Sequence, residues 1–162
     1  MSREKTLDER EYKCIDEVLH IVYKNKIPKY VNDIADKYEG KIPDRIGINF
    51  PMDFVVSLCK DDKDYKYCEI MRYVDDANYI VVYKKGDKMT KDHELLHAKY
   101  YMDYNYKKKI KYIWDNMKKE SKNKVIFMLK KMGYPEKEDI MIDEFQAYYY
   151  TEKSNFFGKN LI

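Results

Sequence analysis

Two of the three histidines in this chain stand four residues apart, in His93-Glu94-Leu95-Leu96-His97. If that pentad is helical, both imidazoles project from one face, with Cβ atoms about 5–6 Å apart, and can share one metal ion. Glu94 follows the first histidine directly and is placed to take a proton from an attacking water. Two ring nitrogens and an adjacent carboxylate are the minimal set for metal-assisted hydrolysis of an amide. The competing reading makes His93 and His97 ordinary core histidines.

Catalytic zinc takes three protein ligands and keeps a fourth position open, so a third donor is needed. His20, the remaining histidine, stands among Glu17, Leu19 and Ile21 with no motif around it. A carboxylate is the alternative, and Asp143-Glu144-Phe145-Gln146-Ala147-Tyr148 offers one on a helix expected from near Asp143 to about Glu152. An acidic pair opening a helix is also what simple capping produces, which accounts for Asp143. Glu144 instead shares a stripe with Ala147 and Tyr148, a face that turns inward. The expected zinc ligands are therefore His93, His97 and Glu144. Asp143 is either the cap or an acceptor orienting a histidine ring. Tyr148, one turn beyond Glu144, is the expected phenol at a developing oxyanion, with Tyr134 as second choice.

These residues need elements to hold them. Tyr12, Ile15, Val18, Leu19 and Val22 fall at helical spacing and predict a helix over residues 9–24, ending before Pro28. Pro28 to Tyr38 reads as a second short helix closed by Gly40. Residues 40–50 read as a connection; from Pro51 to Cys59, Phe54, Val55 and Leu58 suit a helix, though the stretch is short. Tyr67–Val74 and Asn78–Lys84 carry β-branched and aromatic residues around Asp75-Asp76-Ala77, which predicts a hairpin. Gly86-Asp87 breaks the second strand, and Thr90 can cap a motif helix over residues 90–103. His93, Leu96, His97, Tyr100 and Tyr101 share one face of that helix, and Leu95, Ala98 and Met102 another. A helix apolar on two faces is a buried one. Further helices are expected at about 105–119 and 122–132, the latter stopped by Gly133-Tyr134-Pro135.

The chain of 162 residues is long enough for one domain with a real core. Its 32 basic and 29 acidic residues leave a net charge of +3, too balanced to demand a nucleic-acid partner. The basic side is 28 lysines to four arginines, which reads as a solvated surface, since phosphate reading favours arginine. Lys107, Lys108, Lys109, Lys111, Lys118 and Lys119, interleaved with Tyr104, Tyr106 and Tyr112, are what a single-strand binder would use. On an amphipathic helix such a run is ordinarily a wet face. Cys14, Cys59 and Cys68 are odd in number and lack metal-ligand spacing, so free thiols and an intracellular setting are expected. The charged start offers no signal peptide, and no apolar run is long enough to span a membrane.

With both motifs in place, the chain resembles the gluzincin-type metallopeptidases, in which a later glutamate joins the pentad helix. The resemblance covers residues 67–152 and implies a zincin-like sheet beside the motif helix. It implies that the strand before the motif, Asn78–Lys84, is the edge against which extended substrate pairs. Tyr148 stands where the thermolysin type has an acid four residues after its glutamate, and no third histidine follows His97 at metzincin spacing. Glu144-Phe145 before a small residue is similar to the third-ligand helix of lethal-factor-like proteases. The two motifs together also look like those of small proteins of large DNA viruses, and the lysine- and tyrosine-rich composition fits an AT-rich genome.

The expected protein is thus a single α+β domain. It has a helical portion over residues 1–65, a small mainly antiparallel sheet around 66–84 within a core at 66–152, and a tail at 153–162. Its expected activity is zinc-dependent hydrolysis of peptide or protein substrates, with Glu94 as general base. The alternatives are a zinc-binding interaction domain of the same fold that does not cleave, and a lysine-rich nucleic-acid binder.

Overall fold

The computed structural model describes residues 10–61, 77–153, 155–159 and 161. Among them the order is β1 (Arg10–Ile15), β2 (Val18–Tyr23), α1 (Lys29–Glu39), β3 (Ile48–Pro51), α2 (Met52–Asp61) and β4 (Tyr79–Lys84). The helices α3 (Lys88–Met102), α4 (Tyr104–Asn116), α5 (Lys119–Lys131) and α6 (Glu138–Thr151) follow. The architecture is α+β, and the chain divides into two compact units, Met1–Ala98 and Lys99–Ile162.

The N-terminal unit holds one mixed sheet of order β1-β2-β4-β3. β1 and β2 are antiparallel, β2 and β4 parallel, and β3 runs antiparallel to β4. The helix expected over residues 9–24 is therefore a hairpin, and the described part of the expected helical portion, residues 10–61, holds three strands beside two helices. Asp16 and Glu17 form its two-residue turn, both with positive φ (50° and 65°), the backbone twist that suits a tight hairpin. Val18–Tyr23 is buried along its whole length, and a run enclosed on both faces, apolar but for His20, carries no clear period to separate strand from helix. The sheet accordingly reaches from residue 10 to 84 and is not confined to 66–84. β4 lies between β2 and β3, so it is not the edge strand the resemblance implied; among the described residues the edges are β1 and β3. The Tyr67–Val74 half of the expected hairpin lies outside the described residues.

Alternation along the strands gives the sheet two distinct faces. Leu19, Ile21, Ile48, Phe50, Ile80 and Val82 turn one way and pack with Val31, Ile34 and Ala35 of α1 and Val55 of α2. α1 begins after Pro28 and ends at Gly40, whose N–H bonds the Asp36 carbonyl at 2.9 Å and whose φ of 87° suits glycine alone. Arg45, its side chain 4 % exposed, fastens the following loop to α1 through Asp36 at 2.5 Å and Glu39 at 3.2 Å. His20, Asn49, Tyr79, Val81 and Tyr83 alternate onto the opposite face.

The motif helix α3 starts at Lys88, two residues before the expected start at Thr90. Thr90 is not the cap. The Asp87 carboxylate accepts from the Thr90 backbone N–H at 3.1 Å and from its hydroxyl at 2.6 Å, because Asp87 sits one residue ahead of the first turn.

The C-terminal unit is helical. Ile110, Trp114, Val125, Leu129, Met141 and Phe145 form its core, with the Trp114 and Phe145 ring centroids 5.6 Å apart. Gly133, at φ 107°, closes α5 as the spacing predicted. α6 begins at Glu138 rather than Asp143, with Glu138 and Asp139 taking the first turn. Asp143 is thus mid-helix and caps nothing.

Cys59 is disulfide-bonded, which corrects the expectation of free thiols. An odd count requires only one unpaired cysteine and says nothing of the other two. Among the described residues, no helix is long and apolar enough to cross a membrane.

Candidate metal centre

The pentad is helical throughout, within α3. That places the Nε2 atoms of His93 and His97 3.3 Å apart, with ring centroids separated by 4.9 Å. One ligand atom from each of His93, Glu94 and His97 lies within 4.8 Å of the others. His97 is 1 % exposed and Glu94 4 %, while His93 is half-buried. These three side chains bring together donors that could hold a metal ion.

The sheet meets α3 at Glu94. Asn49 Nδ2, on edge strand β3, donates to Glu94 Oε1 at 3.0 Å. Tyr79, on β4, donates its hydroxyl to Asn49 Oδ1 at 2.5 Å. The two bonds fix each other's sense: an ionised carboxylate only accepts, so the amide nitrogen must face Glu94 and the amide oxygen must face the phenol. Gly47, just ahead of β3, lies against the same carboxylate. A Cβ there would stand 2.5 Å from Thr90 Cγ2 and 2.9 Å from Glu94 Oε2.

Asn49, Tyr79 and Gly47 were not singled out from the sequence. Their one local signal is Ile48-Asn49-Phe50, a polar residue between two apolar ones, which strand alternation makes common.

His20 stands on β2, not on a helix, in the same transverse row as Val81 and Asn49. It is 3 % exposed, and its Nδ1 lies 2.8 Å from the Tyr83 hydroxyl. Burial first, then the nearby charges of Lys13 and Lys91, lower its imidazole from 6.5 to about 4. A neutral buried histidine bonded to a phenol is a structural group of the sheet.

The other expected site residues belong to the C-terminal unit. Glu144 is buried on α6 at 7 % exposure, flanked by fully enclosed Gln146 and Ala147. Asp143 accepts from Gln146 Nε2 at 3.0 Å, and Gln146 Oε1 accepts from the Tyr106 hydroxyl at 2.7 Å. Tyr148 and Tyr134, the two expected phenols, are brought together with their hydroxyls 2.9 Å apart. Burial, with the charges of Asp143, Asp139 and Glu138, pushes the Tyr100 phenol above its usual range. In the lysine-rich run, Lys107 sits 5.2 Å from the Tyr100 ring and Lys108 5.3 Å from Tyr104, cation–π contacts within the chain itself. Compared with known protein families, curated proteins and solved structures, the chain matches none.

Proposed function

We propose that this protein is a zinc metallopeptidase whose ligands are His93, His97 and Glu144 and whose general base is Glu94. One observation carries the proposal, the 3.3 Å between the two Nε2 atoms. Two nitrogens each about 2.05 Å from a zinc ion, subtending a tetrahedral angle, stand about 3.3 Å apart. Glu144 supplies the third donor in this reading, because two imidazoles alone make a weak site and this carboxylate is withdrawn from water.

When bound, zinc supplies Lewis acidity, polarising a carbonyl and bringing the pKa of water to about 7. The chain's own residues do the rest. Glu94 accepts the proton of the attacking water and delivers it to the leaving amine. Its burial keeps competing solvent from the carboxylate. Asp143 orients a histidine ring, and Tyr148 donates to the oxyanion that forms at the carbonyl carbon. Peptide and protein chains are the substrate class. Viral origin belongs to the same proposal, on the composition and the paired motifs alone.

Zinc content and cleavage of labelled casein, measured on the wild type and on Glu94→Gln, test the reading. The wild type should hold one zinc per chain and cleave. The variant should hold the same zinc and lose hydrolysis by about two orders of magnitude or more. Zinc without turnover in the wild type reduces the protein to a metal-binding interaction domain, and equal turnover in both removes Glu94 as the base.

A further inference from the structure

We infer that Asn49 is a positioning residue for Glu94, held in its working orientation by Tyr79 and admitted to the carboxylate by the missing side chain at Gly47. The inference rests on the metallopeptidase reading and adds to it a part that lies outside the pentad.

A general base must present one oxygen to the water at hydrogen-bond reach. Glutamate has three side-chain torsions, and a carboxylate left to rotate spends much of its time misdirected. Here Glu94 Oε1 is held by Asn49 Nδ2 at 3.0 Å. The holder is itself immobilised: β3 pairs with β4 through Asn49↔Val81, and the 2 % exposed Tyr79 bonds the amide oxygen. A flipped amide would offer its oxygen to the carboxylate, which would repel it, and would lose the bond Tyr79 donates to Oδ1. Gly47 completes the arrangement, since any Cβ there would collide with Thr90 and with the second carboxylate oxygen. Two residues of the sheet and the glycine just ahead of it thus determine where one side chain of the helix points.

The prediction separates positioning from scaffolding. Asn49→Leu keeps the branching of the side chain at Cγ, with added bulk, and removes the donor. The zinc-loaded full-length variant should retain one zinc per chain and a KM for labelled casein within about twofold of wild type. Its kcat should fall about tenfold to a hundredfold, the range expected when a catalytic group is displaced by about an ångström. Asn49→Asp, which sets a second carboxylate against the first, should lose more. Tyr79→Phe, which removes the bond to the amide oxygen but leaves Asn49 in place, should lose less. Unchanged kcat in Asn49→Leu overturns the inference, as does a loss confined to KM or to zinc content.

A second readout needs no turnover. In the wild type one Asn49 side-chain amide proton should resonate downfield and exchange slowly, and Glu94→Ala should abolish both properties. Amide signals indifferent to Glu94→Ala overturn the positioning contact itself. A wild type inert toward casein overturns the peptidase reading instead.

Discussion

His20 Nδ1 and the Tyr83 hydroxyl lie 2.8 Å apart, on strands β2 and β4 that pair in parallel across 63 residues of sequence. The imidazole is enclosed and has Lys13 and Lys91 as electrostatic neighbours, so its charged form is disfavoured and its pKa falls from 6.5 to about 4. Above about pH 6.5 neither the folded nor the unfolded histidine holds the extra proton, and the shift has no effect on stability. Between about 6.5 and 4 the unfolded chain takes up a proton that the folded chain refuses. Stability therefore falls as pH drops through that window, by at most about 3 kcal/mol for this group. Urea unfolding from pH 7 to 4 should show a shallower decline in His20→Gln than in the wild type. Parallel curves would show that His20 is protonated as easily folded as unfolded.

Gly47 makes a different demand, for space. A methyl group there meets Thr90 Cγ2 at 2.5 Å and Glu94 Oε2 at 2.9 Å, both closer than side-chain carbons come. Gly47→Ala should destabilise the fold by about 1–3 kcal/mol, the usual cost of overpacking. Adding Thr90→Ser removes the colliding methyl and should recover part of that loss in urea unfolding. It should not restore casein hydrolysis, because the contact with Glu94 remains. Full recovery of both by Thr90→Ser would mean that Thr90 alone sets the requirement for glycine.

The pentad helix was legible because its evidence is local: two histidines at helical spacing inside a stretch apolar on two faces. α1, between Pro28 and Gly40, was legible for the same reason, its stop and start signals lying within the segment. The first strands were not. Tyr12, Ile15, Val18, Leu19 and Val22 satisfy a helical period, yet Val18–Tyr23 is buried on both faces of a sheet, where every position is enclosed and any period can be read into it. The strand order was equally hidden, since β4 acquires its two neighbours from segments 30 and 60 residues earlier, and nothing inside Tyr79–Lys84 names them. Asn49 shows the limit most sharply. Its partner Glu94 is 45 positions away, and an asparagine in a short strand has no local mark that separates a buried donor from a solvated one. Within α6 the acidic pair was seen, but its role as an opening turn was wrong, because Glu138 and Asp139 already occupy that turn.

That last correction bears on the third ligand. Were Asp143 and Glu144 the first residues of α6, attraction to the helix dipole would account for both, and neither would need a metal. With the helix starting at Glu138, Glu144 lies in its interior at 7 % exposure, beyond the reach of the terminal dipole. A carboxylate in such a place costs stability unless something offsets its lost hydration. If that something is zinc, Glu144→Ala should lower zinc affinity by about two orders of magnitude or more, since removing one of three protein ligands leaves a two-histidine site. Glu144→Gln, which keeps the volume and an oxygen donor without the charge, should fall between the two. Thermal stability provides the independent check: zinc should raise the melting temperature of the wild type far more than that of Glu144→Ala, because an ion that binds only the folded chain stabilises it in proportion to its affinity. Equal zinc affinity and equal thermal shifts in wild type and Glu144→Ala would remove Glu144 from the metal centre and leave His93 and His97 to be completed by a different acid.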